Sequence, residues 1–246
     1  MPSATRNITS TKRQFKPNIA EISIVIPAAG MGYRMKSYGP KALINICDDT
    51  TLVERQIEIL WSVYPKADIF IIVGFESDKI RKKLSKYPVR LIHNPIHETS
   101  NVLYSIGLAM QAIISNEVII VYGDLIFNEA AIRNLRGASK VVVDNQNLFK
   151  KSEVGLTIED KKAVHFSFGL DVKWAQIAYL TGKELEIFKG VSIRDEASQW
   201  FGYEGLNYVL EKGGTLESIG PRNMKIFEID SAKDLEKIPG NKLTFG

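Results

Sequence analysis

The stretch that decides the fold of this chain is Ile24-Val25-Ile26-Pro27-Ala28-Ala29-Gly30-Met31-Gly32-Tyr33-Arg34-Met35, closed by Pro40-Lys41-Ala42-Leu43. A β-branched apolar run ends in small residues and two glycines, and an arginine and a lysine follow. Glycine lets backbone approach a ligand closely because it has no Cβ. Successive free N–H groups at such a bend form an anion-binding concavity, and Arg34 and Lys41 add full positive charges. The stretch predicts a strand ending in a loop that holds the phosphates of a nucleotide.

Two better-known glycine loops are excluded. A P-loop needs four residues between its glycines, followed by Gly-Lys-Ser/Thr, and this stretch does not fit that spacing. A dinucleotide-binding fingerprint needs a third glycine where Met35 stands, and an acidic residue near the end of the next strand. That predicted strand ends in Val73-Gly74-Phe75 instead. Two glycines alone would indicate a simple tight turn, but the added Arg34 and Pro40-Lys41 favour the phosphate loop.

Short apolar runs alternate with amphipathic stretches over the first two-thirds of the chain, which predicts a parallel α/β sheet. The predicted strands cover residues 22–27, 68–74, 89–93, 117–122 and 139–144. Helices are expected from a capping box at Thr51 to about residue 62, over 77–86, and from a cap at Ser100 through Ile113. Ligands of such sheets bind at the carboxyl ends of the strands, where Gly30, Gly74 and Asp124 fall.

The pattern changes after about residue 145. A hairpin is predicted from strands 153–158 and 162–168, then a strand over 173–180, helices over 182–212, strands at 215–219 and 225–229, and a helix from Ser231. We expect one domain over residues 21–246, divided into a nucleotide-binding part (21–145) and an acceptor-side part (146–246). Residues 1–20 are basic and lack apolar periodicity, which predicts a flexible arm.

The composition excludes several classes of protein. The net charge of +4 over 246 residues is mild and dispersed, so no nucleic-acid partner is expected. No apolar run approaches the ~20 residues of a membrane span, and no secretory signal is visible. The single cysteine, Cys47, precludes an internal disulfide framework, and a cytoplasmic location is the expectation. A homodimer is compatible with the sequence.

Asp124 directly follows the apolar run Val118-Ile119-Ile120-Val121-Tyr122-Gly123. A carboxylate at the end of a buried strand beside a nucleotide site suits Mg²⁺, which takes carboxylate, phosphate and water oxygens. The alternative is an Asp turn or a helix cap in the segment 123–128. With the first loop in the same chain, the metal site is the favoured interpretation.

These segments resemble the signature of the nucleotidyltransferases that activate phosphorylated small molecules. That family includes sugar-1-phosphate nucleotidylyltransferases, choline-phosphate cytidylyltransferases and the cytidylyltransferase of the isoprenoid pathway. The resemblance runs from about residue 22 to about residue 238 and is strongest at the first loop, at Tyr122-Gly123-Asp124 and at Glu228-Ile229-Asp230. It implies a Rossmann-like three-layer fold, with a mostly parallel central sheet, helices on both faces and a small acceptor-side lobe.

The resemblance also implies roles for individual residues. Asp230 matches the second metal-binding aspartate, for which a helix N-cap is the alternative; Glu228 and Asp234 are fallback ligands. Small polar residues of the segment 94–106 are expected near the base and ribose, although a capped helix start competes there. The implied nucleotide-binding set is Ala28, Ala29, Gly30, Met31, Gly32, Gly74, Asn101, Ser105, Tyr122 and Gly123. Lys173 is expected at the acceptor phosphate.

The implied reaction is attack of an acceptor phosphate oxygen on the α-phosphorus of a nucleoside triphosphate, with release of pyrophosphate. Mg²⁺ held by Asp124 and Asp230 would bridge the two phosphates. Arg34 would bind the departing β- and γ-phosphates, and Lys41 would neutralise charge at the α-phosphate. CTP is the expected donor, and the acceptor is a small phosphorylated molecule such as phosphocholine or a phosphorylated amino acid, destined for surface polysaccharide or lipid decoration.

Three alternatives stay open. Uridylyl or guanylyl transfer to a sugar 1-phosphate is the nearest. A glycosyltransferase would be expected to carry Asp-x-Asp at the fourth strand, where this chain has Gly123-Asp124-Leu125. A non-catalytic nucleotide-binding regulator is disfavoured because the predicted catalytic residues Arg34, Lys41, Asp124 and Asp230 are all present.

Overall fold

A computed structural model describes residues 20–30, 39–47, 49–145, 153–230 and 234. Most of the predicted N-terminal arm lies outside the described residues. So do the part of the first loop that carries Met31, Gly32 and Arg34, and the start of the helix predicted from Ser231.

Strands and helices alternate as the sequence predicts. The strands are β1 (Ser23–Ala28), β2 (Asn45–Cys47), β3 (Thr50–Thr51), β4 (Asp68–Val73), β5 (Arg90–His93), β6 (Glu117–Val121), β7 (Leu125–Phe127), β8 (Lys140–Asp144), β9 (Val154–Glu159), β10 (Lys162–Phe168), β11 (Val172–Thr181), β12 (Glu217–Ile219) and β13 (Ile226–Glu228). The helices are α1 (Leu52–Val63), α2 (Ser77–Leu84), α3 (Val102–Ala112), α4 (Gly182–Ser192) and α5 (Gly202–Glu211).

The described residues form a main sheet with the strand order β5-β4-β1-β6-β11-β8-β12-β10-β9. β1 pairs in parallel with both β4 and β6, so the first loop leaves the middle of the parallel half. β11 enters between β6 and β8 and is antiparallel to both. Only β10 and β11 of this sheet run against the other strands, which confirms the mostly parallel sheet.

Helices cover both faces of the sheet, as the burial of the side chains of β1 illustrates. Ile24 and Ile26 pack into the core beneath α1 and α2, whereas Val25 faces the core formed with α3, α4 and α5. A strand buried on both faces has no polar side to present, so its sequence is a continuous apolar run. The three-layer α/β architecture is thereby confirmed.

Two local predictions hold for identifiable reasons. The backbone N–H of Thr51 donates to the Glu54 carboxylate (3.0 Å), which closes the expected capping box of α1. Asp160 and Lys161 both have positive φ (47° and 63°), as a two-residue hairpin turn of the primed kind requires.

The expected cap of α3 is wrong by one residue. Asn101, not Ser100, is the N-cap, and its side-chain oxygen accepts from the Val102 N–H (2.8 Å). The Ser100 hydroxyl instead accepts a hydrogen bond from the Asn94 amide (3.0 Å). Both residue types cap helices well, and the neighbouring Asn94 decides between them.

Among the helices of the described ranges, none has the length and apolar character needed to traverse a bilayer.

Candidate active site

A cleft of about 780 Å³ opens where β1 and β6 end. Of the sequence-predicted site residues that the structure describes, those on its wall are Ala28, Ala29, Gly30, Lys41, Asn101, Ser105, Tyr122, Gly123, Asp124 and Asp230. The cleft therefore collects residues from segments that are distant in the sequence. Met31, Gly32 and Arg34 lie outside the described residues, and their predicted contacts stay predictions.

Two glycines let the strand ends approach one another. The Gly123 N–H donates to the Pro27 carbonyl (3.2 Å), and a Cβ at residue 123 would lie 2.7 Å from that oxygen. Gly74 is not on the described cleft wall. A Cβ there would lie 2.7 Å from the Ala29 carbonyl and 2.6 Å from the His97 Cβ, so the absence of a side chain at Gly74 lets its backbone pack against Ala29 and His97.

Three carboxylates meet in the cleft. One oxygen from each of Asp124, Glu228 and Asp230 lies within 4.8 Å of the other two. The meeting results from a small ribbon outside the main sheet, in which β13 pairs antiparallel with β7 directly after Asp124. The Ile229 N–H then donates to the Asp124 carbonyl (2.9 Å). The expected convergence of Asp124 and Asp230 is present, but it does not arise by pairing of their strands in one large sheet.

Lys41 lies against this acidic cluster. It belongs to a short 3₁₀ turn (Lys41–Leu43), and its ammonium is 3.2 Å from Asp124 Oδ2 and 3.7 Å from Asp230 Oδ1. The Lys41 side chain is 20% exposed, so it can reach a ligand in the cleft while its charge offsets part of the negative charge.

The cluster has the chemistry of a cation site. Asp124 Oδ1 and Glu228 Oε2 are buried and have no hydrogen-bond partner within the described residues. Buried polar atoms without partners are uncommon in folded proteins, and a cation bound between these carboxylates would satisfy both oxygens. Hard carboxylate oxygens are the donors that Mg²⁺ prefers, so the residues fit that ion.

Glu228 is the most deeply buried carboxylate of the cluster by side-chain exposure, 15% against 25% for Asp124 and 38% for Asp230. Burial, together with the charges of Asp124 and Asp230, raises its pKa to about 7. A cation held by the cluster would therefore compete with a proton on Glu228 near neutral pH.

Asn94 holds two polar residues of the cleft wall, Ser100 and Ser105. Its side chain is buried, and its amide donates to the hydroxyls of Ser100 and Ser105 at 3.0 Å each. The side-chain oxygen Oδ1 of Asn94 accepts a hydrogen bond from the Ile96 N–H (3.0 Å). Ser105, predicted to bind the nucleotide, is thus held by Asn94, whereas the predicted Asn101 caps α3.

Lys173 is engaged by acidic side chains. Its ammonium lies 2.6 Å from Glu153 Oε1 and 3.9 Å from Glu228 Oε2. Glu153 is one of the described residues that line the cleft, and Lys173 is not. The acceptor-phosphate contact of Lys173 stays a prediction.

Sequence reasoning missed three aromatic residues at the opening of the cleft, Phe168, Phe201 and Tyr203, called here the aromatic mouth. Phe201 and Tyr203 stack with an interplanar angle of 14°, and Phe168 meets both edge-on. Phe168 and Phe201 are 47% and 44% exposed. The three residues come from β10 and the start of α5, and no local sequence pattern predicts that these two segments are in contact.

Sequence reasoning also missed Gln176. The β11 ladder is irregular between Trp174 and Ala178, and Gln176 there has a φ of 57°. The Gln176 side chain lines the cleft and hydrogen-bonds Glu228. A non-glycine residue in this conformation is strained, and such residues cluster at functional sites. Strand alternation alone cannot reveal such a bulge.

Known proteins share this architecture. The bifunctional protein GlmU of Buchnera aphidicola is 27% identical over 82% of this chain and 47% of its own length; the chain thus spans about half or less of the curated relatives that it matches. A CTP:phosphocholine cytidylyltransferase structure from Streptococcus pneumoniae superposes with a TM-score of 0.72 at 23% identity, covering 88% of this chain and 97% of that one.

A putative glucose-1-phosphate thymidylyltransferase from Bacillus anthracis gives a TM-score of 0.73 at 16% identity, covering 92% of this chain and 97% of that one. The likeness to both structures is one of fold. The family model of the MobA-like NTP transferase domain matches residues 24–151, more than half of the chain. The chain therefore belongs to the MobA-like NTP transferase domain family.

Proposed function

We propose that this chain transfers a nucleoside monophosphate, CMP from CTP, to the phosphate of a small phosphorylated acceptor and releases pyrophosphate. The observation that carries the proposal is the meeting of Lys41 with Asp124, Glu228 and Asp230 in a cleft at the carboxyl ends of β1 and β6. A lysine set against carboxylates suits phosphate transfer, in which the main tasks are alignment and charge neutralisation.

The residues divide these tasks. An acceptor phosphate is already anionic, so the reaction needs no general base from the chain. Lys41 neutralises charge at the α-phosphate as the new bond forms, and Arg34 is assigned the departing phosphates. Asp124 and Asp230, with Glu228 beside them, would hold Mg²⁺. That ion, when bound, supplies positive charge to the phosphate oxygens. Backbone of the segment 28–32 receives the triphosphate.

The aromatic mouth supports an acceptor with a cationic head, such as phosphocholine. Aromatic faces attract ammonium groups, and quaternary ammonium ligands are recognised by groups of aromatic side chains. Glu153 lines the same cleft, but its carboxylate is paired with Lys173, so the aromatic faces carry this support. The Streptococcus pneumoniae neighbour is, by its name, a CTP:phosphocholine enzyme. The proposal includes a cytoplasmic location and a part in decorating surface polysaccharide or lipid.

A second candidate is nucleotidyl transfer to a sugar 1-phosphate. Its support is the similarity to the Bacillus anthracis structure, which is named for glucose 1-phosphate. The two candidates differ in the head group of the acceptor, which is cationic in one and neutral in the other.

Pyrophosphate release separates the candidates. The protein is incubated with Mg²⁺ and each of CTP, UTP, GTP and dTTP, combined in turn with phosphocholine, phosphoethanolamine, inositol 1-phosphate and glucose 1-phosphate. We expect the highest kcat/KM with CTP and phosphocholine. A higher value with glucose 1-phosphate and UTP or dTTP would favour the second candidate, and release with no pair would refute both.

The aromatic mouth gives that experiment a matched variant. Phe201→Leu should raise the KM for phosphocholine about 5–30-fold, as expected from a lost cation–π contact of about 1–2 kcal/mol, while the KM for CTP stays unchanged. Phe201→Tyr keeps an aromatic face and should retain the wild-type KM. Equal KM values for all three proteins would remove the support for a cationic head.

A further inference from the structure

Gln56 is a buried amide of α1 that contacts the segment carrying Asp124. Its side chain is 1% exposed, and its Nε2 donates to the carbonyls of Tyr122 (3.0 Å) and Leu125 (2.7 Å). Those two carbonyls stand on either side of Gly123 and Asp124. One amide group therefore spans the turn from both ends.

Two backbone hydrogen bonds tie the turn to neighbouring strands, from the Gly123 N–H to the Pro27 carbonyl and from the Ile229 N–H to the Asp124 carbonyl, but neither bridges its two ends. Its own hydrogen bond, from the Leu125 N–H to the Tyr122 carbonyl, is long at 3.4 Å. Gly123 within it has more backbone freedom than any other residue type. Without the Gln56 amide, the carbonyls of Tyr122 and Leu125 would lose a buried donor.

The side-chain oxygen of Gln56 indicates that the stability of the fold is not the reason for a glutamine at this position. Gln56 Oε1 is buried and has no hydrogen-bond partner within the described residues. An unsatisfied buried acceptor costs about 1–3 kcal/mol, a cost that an apolar side chain of similar size would not incur at that end. What the amide contributes is the geometry of the turn.

We propose that Gln56 is a positioning residue, which fixes the turn of residues 122–125 and thereby holds the Asp124 carboxylate against Lys41 and Asp230. The inference rests on the proposed function, in which Asp124 acts on the reacting phosphates. Gln56 is buried and is not among the residues that line the cleft. Its effect passes through the position of Asp124, whose Oδ2 lies 3.2 Å from the Lys41 ammonium. Misplacement of such a group by about 1 Å can cost about 100-fold in rate.

The same helix provides a matched control. Tyr64, at the end of α1, is also buried, and its hydroxyl donates to the Ile132 carbonyl (2.6 Å), with the Leu135 carbonyl of the same turn at 3.4 Å. That turn lies outside the cleft wall. Tyr64→Phe removes a comparable buried donor at a site remote from the chemistry.

The experiment compares Gln56→Met and Gln56→Leu with Tyr64→Phe and the wild type. All variants are expected to lower the melting temperature. Only the Gln56 variants should lower kcat, by about 10–100-fold, with the KM for the triphosphate within about two-fold of wild type. If the Gln56 and Tyr64 variants retain the same kcat, the positioning role is overturned. The second Gln56 variant guards against one substitution failing to fold.

A readout without substrate distinguishes this inference from the proposed function. Hydrogen exchange of the Gly123 and Leu125 amides is measured in the ligand-free protein. It should become faster in the Gln56 variants and stay unchanged in Tyr64→Phe. Unchanged exchange in the Gln56 variants would overturn the inference even in an active enzyme. A wild type that releases no pyrophosphate would refute the proposed function, while the exchange result would still decide whether Gln56 holds the turn.

Discussion

Lys41 is the residue in which charge and geometry are most closely linked. It is the cation nearest to Asp124 and Asp230 within the described cleft, and the first loop leads to it through Gly39 and Pro40. Its partial exposure means that its removal opens no cavity. The loss of Lys41 should therefore affect the reaction more than the fold.

Lys41→Ala is expected to lower turnover by about 10²–10³-fold, the usual consequence of losing one charge contact to a reacting phosphate. Its melting temperature should stay near that of the wild type. The measurement is pyrophosphate release beside a thermal melt. Lys79→Ala is the control, because Lys79 is 64% exposed and pairs with Glu76 away from the acidic cluster. Turnover of Lys41→Ala equal to that of Lys79→Ala would exclude the proposed role.

Gln176 offers a second prediction at the residue scale. Gln176→Gly removes the hydrogen bond to Glu228 and relieves the positive φ, so it should leave stability unchanged or raise it by up to about 1 kcal/mol, while turnover falls. Asp160→Gly relieves a similar φ (47°) in the β9–β10 turn, outside the cleft, and should leave turnover intact. Chemical denaturation and initial rates test both variants, and a fully active Gln176→Gly would show that the bulge serves the sheet alone.

At the scale of elements, α1 and α2 are joined by a buried carboxylate. Glu54 of α1 is 2% exposed and lies 3.2 Å from the ammonium of Lys83 and 3.0 Å from that of Lys86. Burial alone would raise the pKa of Glu54. Hydrogen bonds from Thr51, Lys86 and Lys83 outweigh burial and lower the pKa from 4.5 to about 2. The charged form is thus stabilised in the folded protein.

The sign of the pH dependence follows from that depressed pKa. The contribution of Glu54 is fully present above pH 4.5, where the unfolded chain is also ionised, and is lost as the pH falls from 4.5 towards 2. Replacing both lysines, in Lys83→Met/Lys86→Met, should make this loss smaller and lower the stability at neutral pH. Urea denaturation at a series of pH values measures it. An identical pH profile for the double variant would contradict the assignment.

At the scale of the whole molecule, the parallel half of the sheet follows from sequence because its inner strands β1, β4 and β6 are buried on both faces, as Ile24, Val25 and Ile26 illustrate. The insertion of β11 between β6 and β8 could not be predicted in this way. Alternation describes one strand at a time and contains no information on which strands become neighbours.

Some residues of the candidate site could likewise be predicted from the sequence, and others could not. Gly123, Asp124 and Lys41 belong to compact local motifs, so their presence in the cleft could be anticipated. The aromatic mouth joins residues from β10 and α5, and Gln176 owes its direction to a bulge in β11. These features depend on tertiary packing, which overrides local pattern, and only the folded chain exhibits them.

The acidic cluster depends on the whole chain, because Asp124 and Asp230 come from segments more than a hundred residues apart and meet through the β7–β13 ribbon. Three carboxylates within 4.8 Å repel one another when no cation is present. Asp124→Asn and Asp230→Asn should therefore keep or raise the melting temperature of the ligand-free protein, while each abolishes turnover and weakens Mn²⁺ binding measured by calorimetry.

The double variant Asp124→Asn/Asp230→Asn should be scarcely slower than either single variant, because residues that act on one ion as a unit have non-additive effects. EDTA should stop the reaction, Mg²⁺ should restore it, and Ca²⁺ should restore it poorly, since its coordination is looser and its bonds are longer. Asp171→Asn, an exposed change before β11, is the control and should behave as wild type. Full turnover in EDTA, or Mn²⁺ binding unchanged in both single variants, would mean that the ribbon brings these carboxylates together for a purpose other than holding a cation.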